Sequence, residues 1–273
     1  MMIEPKNIER IGLITGKGKF PMVLCRAAKE QKVNVVVIAI KDELNADLEK
    51  YAEKIYSVEL GQGRKLIEIL KKEDLQYAMM AGKIKKTTLF KQTFKMDDVA
   101  RSVLKNTIDK RDDTILGAIA NRLKKEGIHV LDSTKFLKRL LAKKGVYTRK
   151  KPSRTQKEDI DFGFKMAKAI GNLDIGQTVV VKEKAVMAVE AIEGTDEAII
   201  RAGSLSHDTV VVKSAKPNQD MRFDVPTVGL STIKSMKKAN AGILAIEANK
   251  TLVLEKEEMI KEADEAGICI VAV

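Results

Sequence analysis

The sequence predicts an α/β protein of two domains, with a parallel sheet in the N-terminal half and a second, mixed α/β domain after it. Three observations predict it. Short β-branched runs alternate with helical patterns up to about residue 131. A basic stretch with a glycine and a proline, Lys143 to Arg154, then breaks the pattern. A chain of 273 residues with 44% apolar content is ample for two cores of ordinary size.

The elements follow in order. Ile8 to Ile14 is an apolar run ending in Thr15-Gly16-Lys17-Gly18-Lys19-Phe20-Pro21, and Met22 to Gln31 continues with helical spacing: strand, glycine turn, helix. Asn34 to Ile40 has the β-branched composition of a parallel strand buried on both faces. Ile55 to Leu60, Tyr77 to Ala81 and Ile128 to Leu131 are shorter strands, and Arg64 to Lys72 and Thr114 to Glu126 are helices. Strands alternating with helices give a Rossmann-like parallel sheet covered on both sides. The domain boundary is placed near residue 133, so that the domains are 1–132 and 133–273, the second opening with the basic linker. In that second domain Asp159 to Ala169, Thr195 to Ala202, Thr232 to Ala239 and Lys256 to Ala266 read as helices. Strands are expected at Thr178 to Val181, Ala185 to Ala191, Thr209 to Lys213, Gly242 to Ala245 and Ile268 to Val271, with more antiparallel character than in the first domain. There is no convincing internal repeat.

The formal charge of +12 draws anions: nucleic acid, an acidic membrane surface or phosphorylated small molecules. Aromatic residues are 4% of the chain and tryptophan is absent, which leaves little for base stacking, so nucleic acid is not an expected partner. Abundant neighbouring Lys and Glu also suit an ion-pair-rich surface. No apolar run approaches the roughly 20 residues that span a bilayer, and MMIEPKNIER lacks the apolar core of a signal peptide. The expectation is a soluble, cytoplasmic protein with buried free thiols at Cys25 and Cys269 and, on base rates, a homodimer. His129 and His207 are isolated and no GxSxG surrounds a serine, so neither a histidine metal cage nor a serine triad is expected.

The first candidate for chemistry is the glycine turn at Gly16 and Gly18, where backbone N–H groups and the following helix N-terminus favour a phosphate. Pro21 stands where a dinucleotide fingerprint has its third glycine, and Lys41 rather than an acid follows the second strand. A nicotinamide cofactor is therefore not expected; another phosphate or sugar, or a purely structural turn, both remain open. Gly61-Gln62-Gly63 and Ala81-Gly82-Lys83 fall at the same sheet edge, which suggests one cleft with Lys83 beside it. Of Asp112-Asp113, one caps a helix and the other faces the cleft. In the second half, Glu193-Gly194-Thr195-Asp196 joins a strand to a helix, with Thr195 or Asp196 suited to N-capping. Residues 211–229 then gather Lys213, Lys216, Asp220, Arg222 and Asp224 in a polar, turn-rich segment. Cations there suit a pyrophosphate, and magnesium needs only one or two carboxylates, so Asp224 and Asp220 suffice.

IGLITGKGKFPMVL, AGKIKKTTLF, RDDTILGAIA, GVYTRKKPS, GQTVVVKEKAVMAVEAIEGTDEAIIRAG and VVVKSAKPNQDMRFDVPTVG together resemble, end to end, the LpxI family of UDP-2,3-diacylglucosamine pyrophosphatases. The resemblance implies two α/β domains joined by a linker, with a nucleotide-linked glycolipid between them. It also implies a metal-dependent hydrolysis, using Mg2+ or another divalent cation, that releases UMP and 2,3-diacylglucosamine 1-phosphate for lipid A synthesis. The resemblance further implies attack of water on the α-phosphorus. By motif the essential aspartate falls on Asp224, as metal ligand or as the group orienting water, with Asp220 as a further metal ligand. Lys213, Lys216 and Arg222 are expected to stabilise charge on phosphate oxygens. Substrate contacts are further assigned to Gly16, Gly18, Gly82, Lys83, Asp113, Thr195, Asp196 and Gln219. The basic face is expected to dock peripherally on an anionic inner membrane. The alternatives are a non-catalytic nucleotide or lipid carrier and a hydrolase of a different nucleotide-linked substrate.

Overall fold

The computed structural model describes residues 8–41, 46–82, 95–105, 107–109 and 111–273, without the side chains of Ala46 and Asp112. The chain divides into two compact units, one running to Leu137 and taking in Asp220–Asp224, the other formed by Lys138–Gln219 and Val225–Val273. The short segment Asp220–Asp224, placed in the second domain by its position in the sequence, thus belongs to the first unit.

The first unit is built on a sheet of five parallel strands: β1 (Arg10–Thr15), β2 (Asn34–Ile40), β3 (Lys54–Val58), β4 (Tyr77–Ala81) and β5 (His129–Val130). Their order, β3-β2-β1-β4-β5, is that of a doubly wound fold and fulfils the Rossmann-like expectation. Helices α1 (Phe20–Glu30), α2 (Gly63–Lys72), α3 (Asp98–Lys105) and α4 (Asp112–Lys125) connect the strands. Val35 to Ala39 of β2 are fully buried, as a strand covered on both faces requires. One core gathers Ile38, Leu70, Ala78, Leu123 and Val130, and includes Phe223 from the distant segment. Helix α3 has no counterpart in the sequence pattern: it is eight residues long and Val99 is its buried side chain, too little for periodicity to register.

The second unit carries a six-stranded mixed sheet in the order β6-β13-β11-β9-β7-β8. Its strands are β6 (Gly145–Val146), β7 (Thr178–Lys182), β8 (Ala185–Val189), β9 (Val210–Lys213), β11 (Ile243–Ile246) and β13 (Cys269–Ala272). The central strands β9, β11 and β13 are parallel, whereas β7 runs antiparallel to both β8 and β9, and β6 antiparallel to β13. A separate pair, β10 (Thr227–Val228) and β12 (Leu252–Val253), is parallel. Helix α5 (Arg154–Asn172) covers one face through Ile160 and Ala167 against Val179, Val212 and Ile243. Helices α6 (Thr195–Gly203), α7 (Leu230–Lys238) and α8 (Lys256–Glu265) cover the other through Ile199, Ile233, Met236 and Met259. Helix α5 starts five residues earlier than the apolar pattern indicates, because Ser153 caps the Gln156 N–H and the Gln156 side chain returns to the Ser153 N–H. The end of the basic stretch is therefore helix, not connector. Both cysteines are buried and unpaired, as expected, and His129 and His207 are exposed.

Candidate functional site

In the first unit the glycine turns meet at the carboxyl ends of the strands. The Gly16 N–H donates to the Ala81 carbonyl at 3.0 Å, tying the end of β1 to the end of β4. Gly82 follows β4 with φ +91°, and a Cβ there would lie 2.7 Å from the Gly16 carbonyl oxygen and 2.8 Å from that of Lys17. Only glycine permits this approach of two backbones. Gly18, at φ +109°, turns the chain toward α1, which starts at Phe20 with Pro21 in its first turn. Lys83 lies outside the described residues, so the cation expected beside Gly82 has no described position. Asp112 and Asp113 do not precede α4 but open it, after an N-cap Arg111 that makes no side-chain cap; Asp113 is partly buried.

Asp220–Asp224 is built onto this same edge. Ser133, after β5, donates its N–H to the Met221 carbonyl at 2.8 Å, and its Oγ lies 2.8 Å from the Met80 carbonyl oxygen and 2.6 Å from that of Arg222. Phe223 is buried in the core beneath. Next to this anchor Asp224 is exposed and adopts φ 53°, a left-handed conformation that aspartate tolerates better than most residues. Asp220 accepts from the Arg222 backbone N–H and Nε at 3.0 Å through Oδ1, and from Nε and Nη2 at 3.0 and 2.6 Å through Oδ2. Burial alone raises the Asp220 pKa, yet the Arg222 hydrogen bonds and charge hold it below the ordinary carboxylate value. Arg222 also stacks over the Phe223 ring, 5.2 Å from its centroid.

A second constellation lies in the second unit, at the carboxyl end of β9. Lys213 is 6% exposed, and its Nζ donates to Thr195 Oγ1 at 2.7 Å. Thr195 Oγ1 in turn donates to Glu190 Oε1 at 2.8 Å. Burial would raise the Glu190 pKa, but the Lys213 charge and hydrogen bonds from Thr178, Thr195 and the Gln177 N–H bring it down. Thr195 is thus the first residue of α6, not its cap; Gly194 at φ 88° is the N-cap, and partly buried Asp196 sits in the first turn. The buried ammonium and the N-terminus of α6 place positive charge together. Lys216 is buried and pairs with Asp174 at 2.5 Å, so its charge already has an anionic neighbour. Gln219 Oε1 accepts from the Lys216 N–H at 3.2 Å and shapes the turn between them. Glu247 Oε2 accepts from Lys168 Nζ, Ser214 Oγ and the Ala215 N–H at 2.6, 2.8 and 2.9 Å, fixing the chain just before Lys216.

The candidate residues therefore divide between the units: Gly16, Gly18, Gly82, Asp113, Asp220, Arg222 and Asp224 in the first, Thr195, Asp196, Lys213, Lys216 and Gln219 in the second. Sequence reasoning missed Ser133, Asp174, Glu190 and Glu247. The one signal for Glu190 is a charge closing the apolar run of β8. Among the described residues no group of three or more His, Cys, Asp or Glu side chains is placed to hold a metal ion. Asp224, exposed on its turn, suits a hard cation that takes most of its shell from water and phosphate; Asp220 is engaged through both oxygens by Arg222.

Comparison with known proteins adds the following. UDP-2,3-diacylglucosamine pyrophosphatase LpxI of Caulobacter vibrioides is 28% identical over 97% of this chain and 98% of its own length. Solved structures align at low scores. The biotin carboxylase domain of Hydrogenobacter thermophilus 2-oxoglutarate carboxylase reaches 13% identity and a TM-score of 0.29 over 66% of this chain and 36% of that one. UDP-glucose 4-epimerase of Thermotoga maritima reaches 12% and 0.29 over 53% and 42%. The chain spans less than half of either structure, and neither likeness carries an argument. The family model of the LpxI N-terminal domain matches residues 10–140 and that of the LpxI C-terminal domain residues 143–271, so the chain belongs to the LpxI family.

Proposed function

We propose that this protein hydrolyses the pyrophosphate of UDP-2,3-diacylglucosamine to UMP and 2,3-diacylglucosamine 1-phosphate, a step of lipid A synthesis. Family membership across both halves of the chain carries this assignment, and the Caulobacter relative bears the name of that activity. The oxygen of water adds to the α-phosphorus, the bond from that phosphorus to the bridging oxygen breaks, and the sugar phosphate departs with the bridging oxygen. Asp224 is the group we assign to hold or orient the reacting components; its exposure and its rigid anchor at Phe223 and Ser133 support the role. Mg2+ or another divalent cation, held by Asp224, would neutralise phosphate oxygens and acidify water. Asp220 we assign as a further metal ligand that also fixes the Arg222 guanidinium, the cation for a phosphate oxygen. Lys213 and the start of α6 with Thr195 and Asp196 supply a preorganised positive site for phosphate. Lys216 contributes in the same sense, tempered by Asp174. Backbone at Gly16, Gly18 and Gly82 supplies close approach to the nucleotide; Lys83, Asp113 and Gln219 complete the proposed substrate contacts. The substrate's acyl chains and the basic surface together favour peripheral contact with an anionic inner membrane from the cytoplasmic side. No helix among the described residues is long and apolar enough to cross one. A homodimer remains our proposal for the assembly.

Purified protein supplied with UDP-2,3-diacylglucosamine and Mg2+ is expected to release UMP, with turnover lost on chelation. Asp224→Ala should lose about 10³-fold or more of kcat while keeping its fold, the order seen when a charge-stabilising catalytic group is removed. Retention of full turnover by Asp224→Ala would refute the assignment of that residue. A ligand that copurifies tightly with no turnover in any divalent metal would favour the carrier alternative.

A further inference from the structure

We propose that Ser133 is a positioning residue that sets the carboxylate of Asp224 by stapling residues 220–224 to the parallel sheet of the first unit; its catalytic consequence rests on the hydrolase function proposed above. The segment reaches this unit from a point in the sequence about 90 positions downstream of Ser133, as the separation of 89 between Ser133 and Arg222 records. Polar ties hold it there at Ser133. The backbone N–H of Ser133 meets the Met221 carbonyl, and the hydroxyl meets the Arg222 carbonyl, so successive peptide units of the segment are gripped by one residue. The same hydroxyl lies 2.8 Å from the carbonyl of Met80 at the end of β4, linking the segment to a central strand. One hydroxyl hydrogen is thereby shared between two carbonyl acceptors, a three-centre arrangement.

Ser133 is itself held rigid. It is 0% exposed, and Asp132 Oδ1 accepts both the N–H and the Oγ1–H of Thr134 at 2.6 Å, closing a tight turn around it. Phe223 supplies the apolar half of the anchor. The hydroxyl grips residue 222, two positions before Asp224, so its loss frees the peptide units that set the direction of the Asp224 side chain. A buried serine with no titratable task and two backbone partners at the end of the sheet is otherwise an unneeded polar group in a core.

Ser133→Ala in the full-length protein tests this, with Ser153→Ala in the capping box of α5 as a comparator that lowers stability elsewhere. Ser133→Ala is expected to lower kcat by about 10- to 100-fold with KM changed by less than about threefold, the signature of misplacement rather than lost binding. Hydrogen exchange should accelerate at the amides of residues 221–224 and stay unchanged in β1 and β2. Ser153→Ala should leave kcat as in the wild type. A kcat within about threefold of wild type for Ser133→Ala, or an acceleration of exchange spread equally through β1 and β2, overturns the proposal. Should Ser133→Ala not fold, Ser133→Cys, nearly isosteric with a weak donor, must show the same local exchange. If the wild-type protein shows no hydrolysis, the proposed function fails while the exchange measurement still judges the staple.

Discussion

At the scale of single residues, buried charges are kept only where partners surround them. Glu73, 5% exposed, receives Tyr56 Oη, Lys54 Nζ at 2.9 Å and Arg10 Nη2 at 2.6 Å. Those hydrogen bonds, Tyr56 first, pull its pKa down to about 2. A carboxylate whose folded pKa is depressed stabilises the protein above its unfolded value, and that contribution disappears as pH falls from about 4.5 to about 2. Glu73→Gln is expected to lower Tm at pH 7 and to flatten the decline of Tm between those pH values, as calorimetry across the range would show. Glu190 is the counterpart in the second unit, joined to Lys213 through the Thr195 hydroxyl. Glu190→Gln should destabilise by roughly 3–5 kcal/mol, measurable by urea unfolding, because the buried ammonium then lacks its anion. Burial pushes the Cys25 thiol up to about 12, and also raises that of Cys269. Neither should react with a maleimide at pH 7.5 until the protein is unfolded.

At the scale of elements, the capping box and close helix–sheet contacts decide the second unit. Ser153→Ala should cost about 1 kcal/mol by removing the side-chain acceptor at the start of α5, read as a fall in the urea midpoint. Gly163 of α5 faces Val212, and a Cβ there would lie 2.5 Å from Cγ2, so Gly163→Ala is expected to cost about 1–3 kcal/mol despite its better helix propensity. Elements of this size were legible in the sequence where periodicity had room: β1, β2, β4, α2, α4 and the strands β7, β9, β11 and β13 fall where apolar runs place them. The two-residue strands β6, β10 and β12 offer no period to read, and they exist because neighbouring backbone completes their pairing. Helix α5 hid its first turn in a basic run, since Ser153 and Gln156 look like linker residues until their reciprocal hydrogen bonds are drawn.

At the scale of the whole molecule, the sequence-distant segment Asp220–Asp224 is the feature that patterning could not reveal. Phe223 reads as an isolated aromatic in a polar loop, and only the fold shows that its ring completes the core of the first unit. The charged residues of 211–229 were legible as a site because their composition suits neither core nor helix; the burial of Lys213 and Lys216, and the anions Glu190 and Asp174 beside them, were not. A fragment ending at residue 137 should therefore be less stable than the same unit in the intact chain, and a peptide spanning residues 218–226 should raise its Tm when added in excess. The most direct test of the hydrolase assignment is turnover in 18O-labelled water with the phosphate products separated by mass. The label is expected in UMP, and no labelled product should form with Asp224→Ala. Label in the sugar phosphate, or undiminished labelling by Asp224→Ala, would contradict attack at the α-phosphorus by water that Asp224 serves.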